Sequence, residues 1–343
     1  MRIAQLFKKL KNNQIQCLVC NHYCKISEGK TGICGVRKNI AGDLKLLVYG
    51  RPIAINIDPI EKKPLFHFLP GSKIFSLGTY GCNFRCSFCQ NWDISQLSKG
   101  YQNFEELIKK TCEEWPPEKI VDYCRKNQIP GIAYTYNEPT IFVEYAYDTM
   151  KLAKKYGIKN VFVSNGYESK ETVEYIAPYL DAINIDLKSF RDEFYNRLCG
   201  AKLKPVLETI KLIHQKKIWQ EITTLLIPGE NDSEKEIKEI AKFIASIDKN
   251  IPWHLSRFYP AYQMTNKEAT SIGILEKAYE IGKKAGLNYI YLGNVLTEKY
   301  ESTYCPKCGE KLIKRIGYSI NITDSFKNGR CLKCKTKIPG IWV

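Results

Sequence analysis

The chain has 343 residues, 44% hydrophobic and 26% charged, with a net charge of +16. That composition supplies a sizeable core, and no run of about 18 apolar residues is present, which excludes a membrane-spanning helix and a low-complexity or disordered chain. The lysines are dispersed without an Arg-rich block, so the charge reads as a solvated surface before a nucleic-acid-binding one.

The first ten residues, Met1–Leu10, are basic but carry no long apolar stretch and no small-residue cleavage site. They read as a short helix and not as a signal peptide, which makes the cytoplasm the default compartment. Residues 1–72 form an irregular Cys-rich module punctuated by glycines, with a short strand at Leu44–Tyr49. From Lys73 the pattern changes. Strands are expected at Ile74–Gly78, Gly131–Tyr136, Asn160–Gly166, Asp181–Lys188, Trp219–Ile227, Trp253–Phe258 and Asn288–Leu292. Helices are expected between them at Ile141–Tyr156, Ser169–Ala177, Lys204–Gln215, Ser233–Ile247 and Ser271–Ala285. Short β-rich apolar runs separated by amphipathic helices predict an α/β fold with a parallel sheet, a partial or full (β/α) barrel over residues 73–294. Residues 295–343 form a small Cys-, Lys- and Gly-rich module.

Fourteen cysteines in such a chain point to metal sites before disulfides. Cys17, Cys20, Cys24 and Cys34 form one group; Cys82, Cys86 and Cys89 a second; Cys305, Cys308, Cys331 and Cys334 a third. Cys112, Cys124 and Cys199 remain, and packing is their expected role. Four, three and four is the count that two closed sites and one open site require, since a closed structural site takes four protein ligands. A cubane held by three thiolates leaves one iron free for a ligand.

The middle group, Gly81-Cys82-Asn-Phe-Arg-Cys86-Ser-Phe-Cys89, resembles the cluster motif of the radical S-adenosylmethionine (SAM) superfamily, including the aromatic Phe88 before the last cysteine. The resemblance implies a [4Fe–4S] cluster whose open iron binds SAM. Reductive cleavage of SAM then gives methionine and a 5′-deoxyadenosyl radical that abstracts hydrogen from a substrate. It also implies a low-potential electron donor such as ferredoxin or flavodoxin. Asn137-Glu138-Pro139 resembles the family segment at the SAM amino group, whose usual form is Gly-Gly-Glu. Ser164-Asn165-Gly166 and Asp186-Leu-Lys188 resemble SAM-contacting segments of glycyl-radical activating enzymes, and His254 stands where those enzymes carry a histidine near the SAM ribose. Thr223 stands where they often carry an arginine. Residues Asp58–Asn91 narrow the resemblance to a subgroup related to pyruvate formate-lyase activating enzyme, the radical SAM component of the AmmeMemoRadiSam system. His67, within that stretch, reads as a core or loop-tethering histidine.

The terminal knuckles, Cys305-x2-Cys308 and Cys331-x2-Cys334, are 22 residues apart, slightly longer than the roughly 15–20 of a zinc ribbon. Structural zinc is expected there, with a rubredoxin-like iron site as the alternative for the same four thiolates. The first group closes either a zinc site, the reading preferred, or a second iron–sulfur cluster, with His22 as a substitute ligand. The substrate is left open: a protein partner receiving a glycyl radical, or direct modification of a protein or small molecule. A nucleic-acid-modifying zinc-ribbon protein lacks a supporting aromatic and basic signature. A pure electron carrier does not explain the barrel.

Overall fold

The computed structural model describes residues 1–101 and 103–342; Gln102, in the expected barrel, and Val343, the last residue of the expected C-terminal module, lie outside the described residues. Eight strands form the central sheet: β1 (Ala54–Pro59), β2 (Lys73–Gly78), β3 (Gly131–Tyr134), β4 (Lys159–Ser164), β5 (Ala182–Asp186), β6 (Trp219–Leu226), β7 (Trp253–Arg257) and β8 (Ile290–Gly293). They lie side by side in chain order. β2 to β8 are parallel throughout, and β1 runs antiparallel to β2 with Ala54 opposite Gly78. The edge strands β1 and β8 are not paired with each other, so the barrel is open. Among the described residues no helix is long and apolar enough to cross a membrane.

Helices α1 (Phe104–Thr111) and α2 (Pro117–Lys126) follow β2. Helices α3 (Val143–Lys154), α4 (Lys170–Ile176), α5 (Leu203–Gln215), α6 (Glu234–Ile247) and α7 (Ile272–Lys284) make the later crossovers. Ser169, Ser233 and Ser271 cap α4, α6 and α7, each accepting a backbone N–H of the first turn. Such a cap is worth about 1 kcal/mol. Helices on the outer face leave the parallel strands buried on both sides, which is why they read as near-continuous apolar runs.

Two expectations are corrected. Residues 1–10 are not a helix: Arg2–Ile3 pairs with Asp43–Leu46, and Phe7–Lys9 pairs with Ile15–Cys17. A ten-residue segment is too short to hold a helix alone, and here Leu6 and Phe7 pack on the core instead. The sheet also begins at Ala54, upstream of the boundary expected at residue 72. One apolar core runs continuously from Ala4 through the barrel to Leu292, so the N-terminal module shares the barrel's core.

Residues 60–69 close the N-terminal end of the barrel: Ile60, Leu65 and Phe68 pack on Ile74, Ala133, Val161 and Ala182. The C-terminal segment builds a small antiparallel sheet from Thr303–Tyr304, Lys311–Ile316 and Ser319–Ile322. Its own core includes Leu312, Ile313, Phe326 and Ile338, packed on Tyr289, Tyr291 and Phe66 of the barrel.

Candidate active site

The Cys82–Cys89 loop leaves the C-terminal end of β2, the end where barrel proteins place their chemistry. Backbone hydrogen bonds fix its course: Gly81 N–H to the Ile94 carbonyl, Arg85 N–H to Cys199 and Ser87 N–H to Leu198, each 2.9 Å. Gly81 has φ +94°, and a Cβ there would lie 2.7 Å from the Cys34 carbonyl oxygen. Only glycine fits that approach. The three thiols, two of them buried, line a cavity of about 480 Å³ with Phe84 and Phe88, a volume in the usual range for a cofactor site.

Four strand ends deliver the remaining wall. After β3, Asn137 clamps the approach to the loop: its Nδ2 donates to the Gly81 carbonyl at 2.8 Å and its Oδ1 accepts the Thr79 N–H at 3.2 Å. After β4 come Ser164 and Asn165, and the Asn165 amide donates to Asn83 Oδ1 at 2.7 Å. At the end of β5, Lys188 Nζ pairs with Asp186 Oδ2 at 2.7 Å. Burial alone would lower the Lys188 pKa, but the charges of Asp186 and the neighbouring thiols outweigh it and raise the pKa. Asn137, Ser164, Asn165, Asp186 and Lys188 all line the cavity, and Thr223 of β6 completes it.

Glu138 does not line this cavity. It is wholly buried behind it, and both oxygens are taken: Oε1 by the Thr140 N–H at 3.0 Å and Oγ1 at 2.6 Å, and Oε2 by the Asn165 N–H at 2.8 Å. Ser164 Oγ lies 3.0 Å from Glu138 Oε1 and 2.5 Å from Glu168 Oε1. Burial, then the charge of Glu168, pushes Glu138 up to about 8. Glu138 therefore shapes the Ser164–Asn165 turn.

His254 lines a second, larger cavity of about 670 Å³ and donates or accepts through Nε2 at 2.7 Å from Glu221 Oε2. The two cavities share Lys62, Thr223, Ser256, Asn294 and Tyr318, so they adjoin. Behind the lining, buried Asp58 holds Lys62, Lys63 and Tyr136 together. Burial brings Lys63 down to about 8 despite Asp58.

Glu221 carried no signal in the linear order, whereas His67 reads there as a core or loop-tethering histidine. Glu221 accepts the N–H groups of Phe66 and His67 as well as His254. His67 donates Nδ1–H to the Pro339 carbonyl at 2.7 Å, so its Nε2 accepts from Tyr291 Oη at 2.6 Å. Its burial drops the pKa to about 4. His67 is thus a neutral tether between the barrel and the C-terminal segment.

The donor sets differ in spacing. Among the described residues, Cys305, Cys308, Cys331 and Cys334 are the one group of three or more Cys, His or carboxylate ligands whose donor atoms all lie within 4.8 Å of one another. Cys305 and Cys334 Sγ are 3.4 Å apart and Cys308 and Cys331 Sγ 3.7 Å, close to the about 3.8 Å that a tetrahedral ion with 2.3 Å metal–sulfur bonds demands. This quartet can bind a metal ion. Cys82, Cys86 and Cys89 are spread more widely around their cavity, as ligands to separate irons of a cubane must be. Asn83 Nδ2, buried beside them, has no hydrogen-bond partner among the described residues. The residues present fit a [4Fe–4S] cluster. Cys17, Cys20, Cys24 and Cys34 surround a separate small chamber. His22 does not line it: its Nε2 donates to the Asn83 carbonyl at 2.9 Å.

Residues 76–244 match the family described as the radical SAM superfamily. An uncharacterized protein of Methanocaldococcus jannaschii is 42% identical over 340 residues, 98% of this chain and 99% of that one. The pyruvate formate-lyase-activating enzyme of Clostridium pasteurianum is 27% identical over 170 residues, 49% of this chain and 67% of its own. Among solved structures, a radical SAM methyltransferase from Sphaerobacter thermophilus superposes with a TM-score of 0.50 at 13% identity, covering 66% of this chain and 67% of that one, a likeness of fold.

Proposed function

The chain belongs to the radical SAM superfamily, and from that premise we propose that Cys82, Cys86 and Cys89 hold a [4Fe–4S] cluster at which SAM is reductively cleaved, with the adjoining larger cavity receiving the substrate. The observation that carries this reading is the shared wall: three loop thiols and the Asp186–Lys188 pair face one cavity. When bound, the cluster and SAM supply one-electron cleavage of a carbon–sulfur bond and a radical able to abstract hydrogen.

The chain's own residues bind and orient. Asp186 and Lys188 present one acceptor and one donor charge, the complement of an amino-acid group that carries both. Asn165 adds a carboxamide, and Asn137 fixes the loop that carries the thiols. Glu138 acts through Ser164 and Asn165 as a positioning residue. Phe84 and Phe88 keep the thiol end of the cavity apolar, which limits water there. His254, held by Glu221, faces the substrate side. The terminal quartet closes around zinc as a structural ion. The resemblance of residues 58–91 supports reading the chain as the radical SAM component of the AmmeMemoRadiSam system. A low-potential ferredoxin or flavodoxin serves as reductant.

Glycyl-radical activation of a protein partner is a second reading, favoured by the similarity to pyruvate formate-lyase-activating enzyme. The test of the primary reading is anaerobic reconstitution of the full chain. SAM should change the electron paramagnetic resonance of the reduced cluster, and reduction should release 5′-deoxyadenosine. Asp186→Asn should keep the iron and weaken the SAM-induced change about tenfold, the scale of one lost charge-assisted contact. A signal indifferent to SAM, with no cleavage product, refutes the reading.

A further inference from the structure

Fold and function leave the N-terminal cysteines unused. Cys17, Cys20 and Cys34 are buried and Cys24 is half-buried, and all four are free thiols. They come from separate pieces of chain: Cys17 ends a strand, Cys20 and Cys24 lie in the following turn, and Cys34 lies beyond Ile26 in the next loop. All four nevertheless line one small chamber, whose other walls are Val19, Ile26, Ile33, Ile141 and Arg37. Interiors close-pack, so an apolar chamber bounded by four thiols and left unfilled by side chains implies an occupant that thiols bind.

The spacing identifies its size. Zinc draws four sulfurs to about 3.8 Å of one another through bonds of about 2.3 Å. The C-terminal quartet has that contraction, with sulfur pairs at 3.4 and 3.7 Å. The N-terminal quartet does not: no three of its sulfurs lie within 4.8 Å of one another. It shares this wider spread with Cys82, Cys86 and Cys89, the thiols proposed above to hold separate irons of a cubane.

A buried ion pair stands beside the thiols. Arg37, only 2% exposed, forms one wall and is held by both oxygens of Glu144 and by the Ile141 carbonyl at 2.8 Å. No histidine enters the chamber, leaving an all-thiolate donor set. The chamber also rests on the active-site loop. The Cys34 carbonyl abuts Gly81 and accepts the Ser98 hydroxyl at 2.9 Å.

We propose that Cys17, Cys20, Cys24 and Cys34 bind a second [4Fe–4S] cluster. Four thiolates leave none of its irons open, so it binds neither SAM nor substrate. The assignment is independent of what happens at Cys82–Cys89.

The test is metal and sulfide analysis of the full chain purified anaerobically, joined to resonance spectra of the reduced protein. The intact chain should hold about eight irons, from two cubanes of four, and about one zinc. The variant with Cys82, Cys86 and Cys89 all changed to Ala should keep about four irons and a reduced-cluster signal that SAM leaves unchanged. About four irons and two zincs in the intact chain overturn the proposal, as does an iron-free triple variant that holds two zincs. Because the decisive count is also made on the unsubstituted chain, misfolding of the triple variant does not mask the result. Loss of SAM cleavage with eight irons retained counts against the proposed function and leaves the second cluster standing.

Discussion

A single serine hydroxyl beside two buried carboxylates sets a problem of protons. Ser164 Oγ touches oxygens of both Glu138 and Glu168. One hydroxyl proton serves one acceptor, so the other contact closes only when a carboxylic acid donates. Burial and then Glu168 raise Glu138 from 4.5 to about 8, and burial raises Glu168 too, so the pair holds one proton near neutrality. The folded pKa of Glu138 lies above the unfolded one, so the native state binds more protons between about pH 4.5 and 8. Stability therefore falls as pH rises through that window. Glu168→Gln keeps an acceptor for Ser164 and removes one charge. It should raise stability at pH 8.5 by on the order of 2 kcal/mol and leave pH 4 unchanged, measured by urea unfolding at both values. An undiminished pH slope in the variant refutes the shared proton. None of this was visible in the linear order. Glu138 was legible as part of a strand-end motif, but its role behind the cavity depends on Thr140, Ser164 and Asn165 closing over it.

The strand β6 shows how an element can be read correctly and its purpose missed. Its extent, Trp219–Leu226, follows from a β-prone run of Trp, Ile, Thr and Leu stopped by Pro228-Gly229. Its Glu221, inside the barrel, looks like an error in a buried strand until residues 60–69 are placed beneath it. The carboxylate then accepts two backbone N–H groups of that segment and His254. Glu221→Ala should cost about 3–5 kcal/mol, because those donors are left buried without an acceptor. A loss under about 1 kcal/mol in urea unfolding contradicts the role. Gly81→Ala tests the active-site loop. Its Cβ would meet the Cys34 carbonyl and Val36, each at 2.7 Å, so it should lower stability by about 1–3 kcal/mol and reduce iron loading at Cys82–Cys89. The barrel strands and crossover helices were legible because their periods differ. β1 was not, since its residues Asn56 and Ile57 are exposed at an edge and lack the buried-strand pattern. The first ten residues were misread because their pairing partners, Ile15–Cys17 and Asp43–Leu46, lie further along the chain.

At the scale of the whole molecule, the C-terminal segment is docked and not appended. Arg315, fully buried, donates to the Phe66 carbonyl and to Thr303, and Thr303 meets Tyr291, which meets His67. Removing the terminal metal should therefore be felt in the barrel floor. Cys305→Ser should speed amide exchange across 303–342 and also across 66–69, while the Cys82–Cys89 loop keeps its protection and SAM cleavage persists. Exchange confined to 303–342 refutes the coupling. The cysteines were legible as three groups because the members of each sit close together along the chain; this docking was not, because it joins residues as far apart as His67 and Pro339, 272 positions away. The closure at that point is reciprocal: Ile341 N–H donates to the His67 carbonyl, and Leu69 N–H donates to the Ile341 carbonyl. On a ribosome adding about 5–20 residues per second, residues 66–69 wait roughly 14–54 s for the strand that completes them. The last barrel strand ends at Gly293, so the assembled barrel has an unsealed floor only while residues 294–341 are added, about 2–10 s at that rate, and a chaperone that shields apolar surface has one defined place, and one defined period, in which to act.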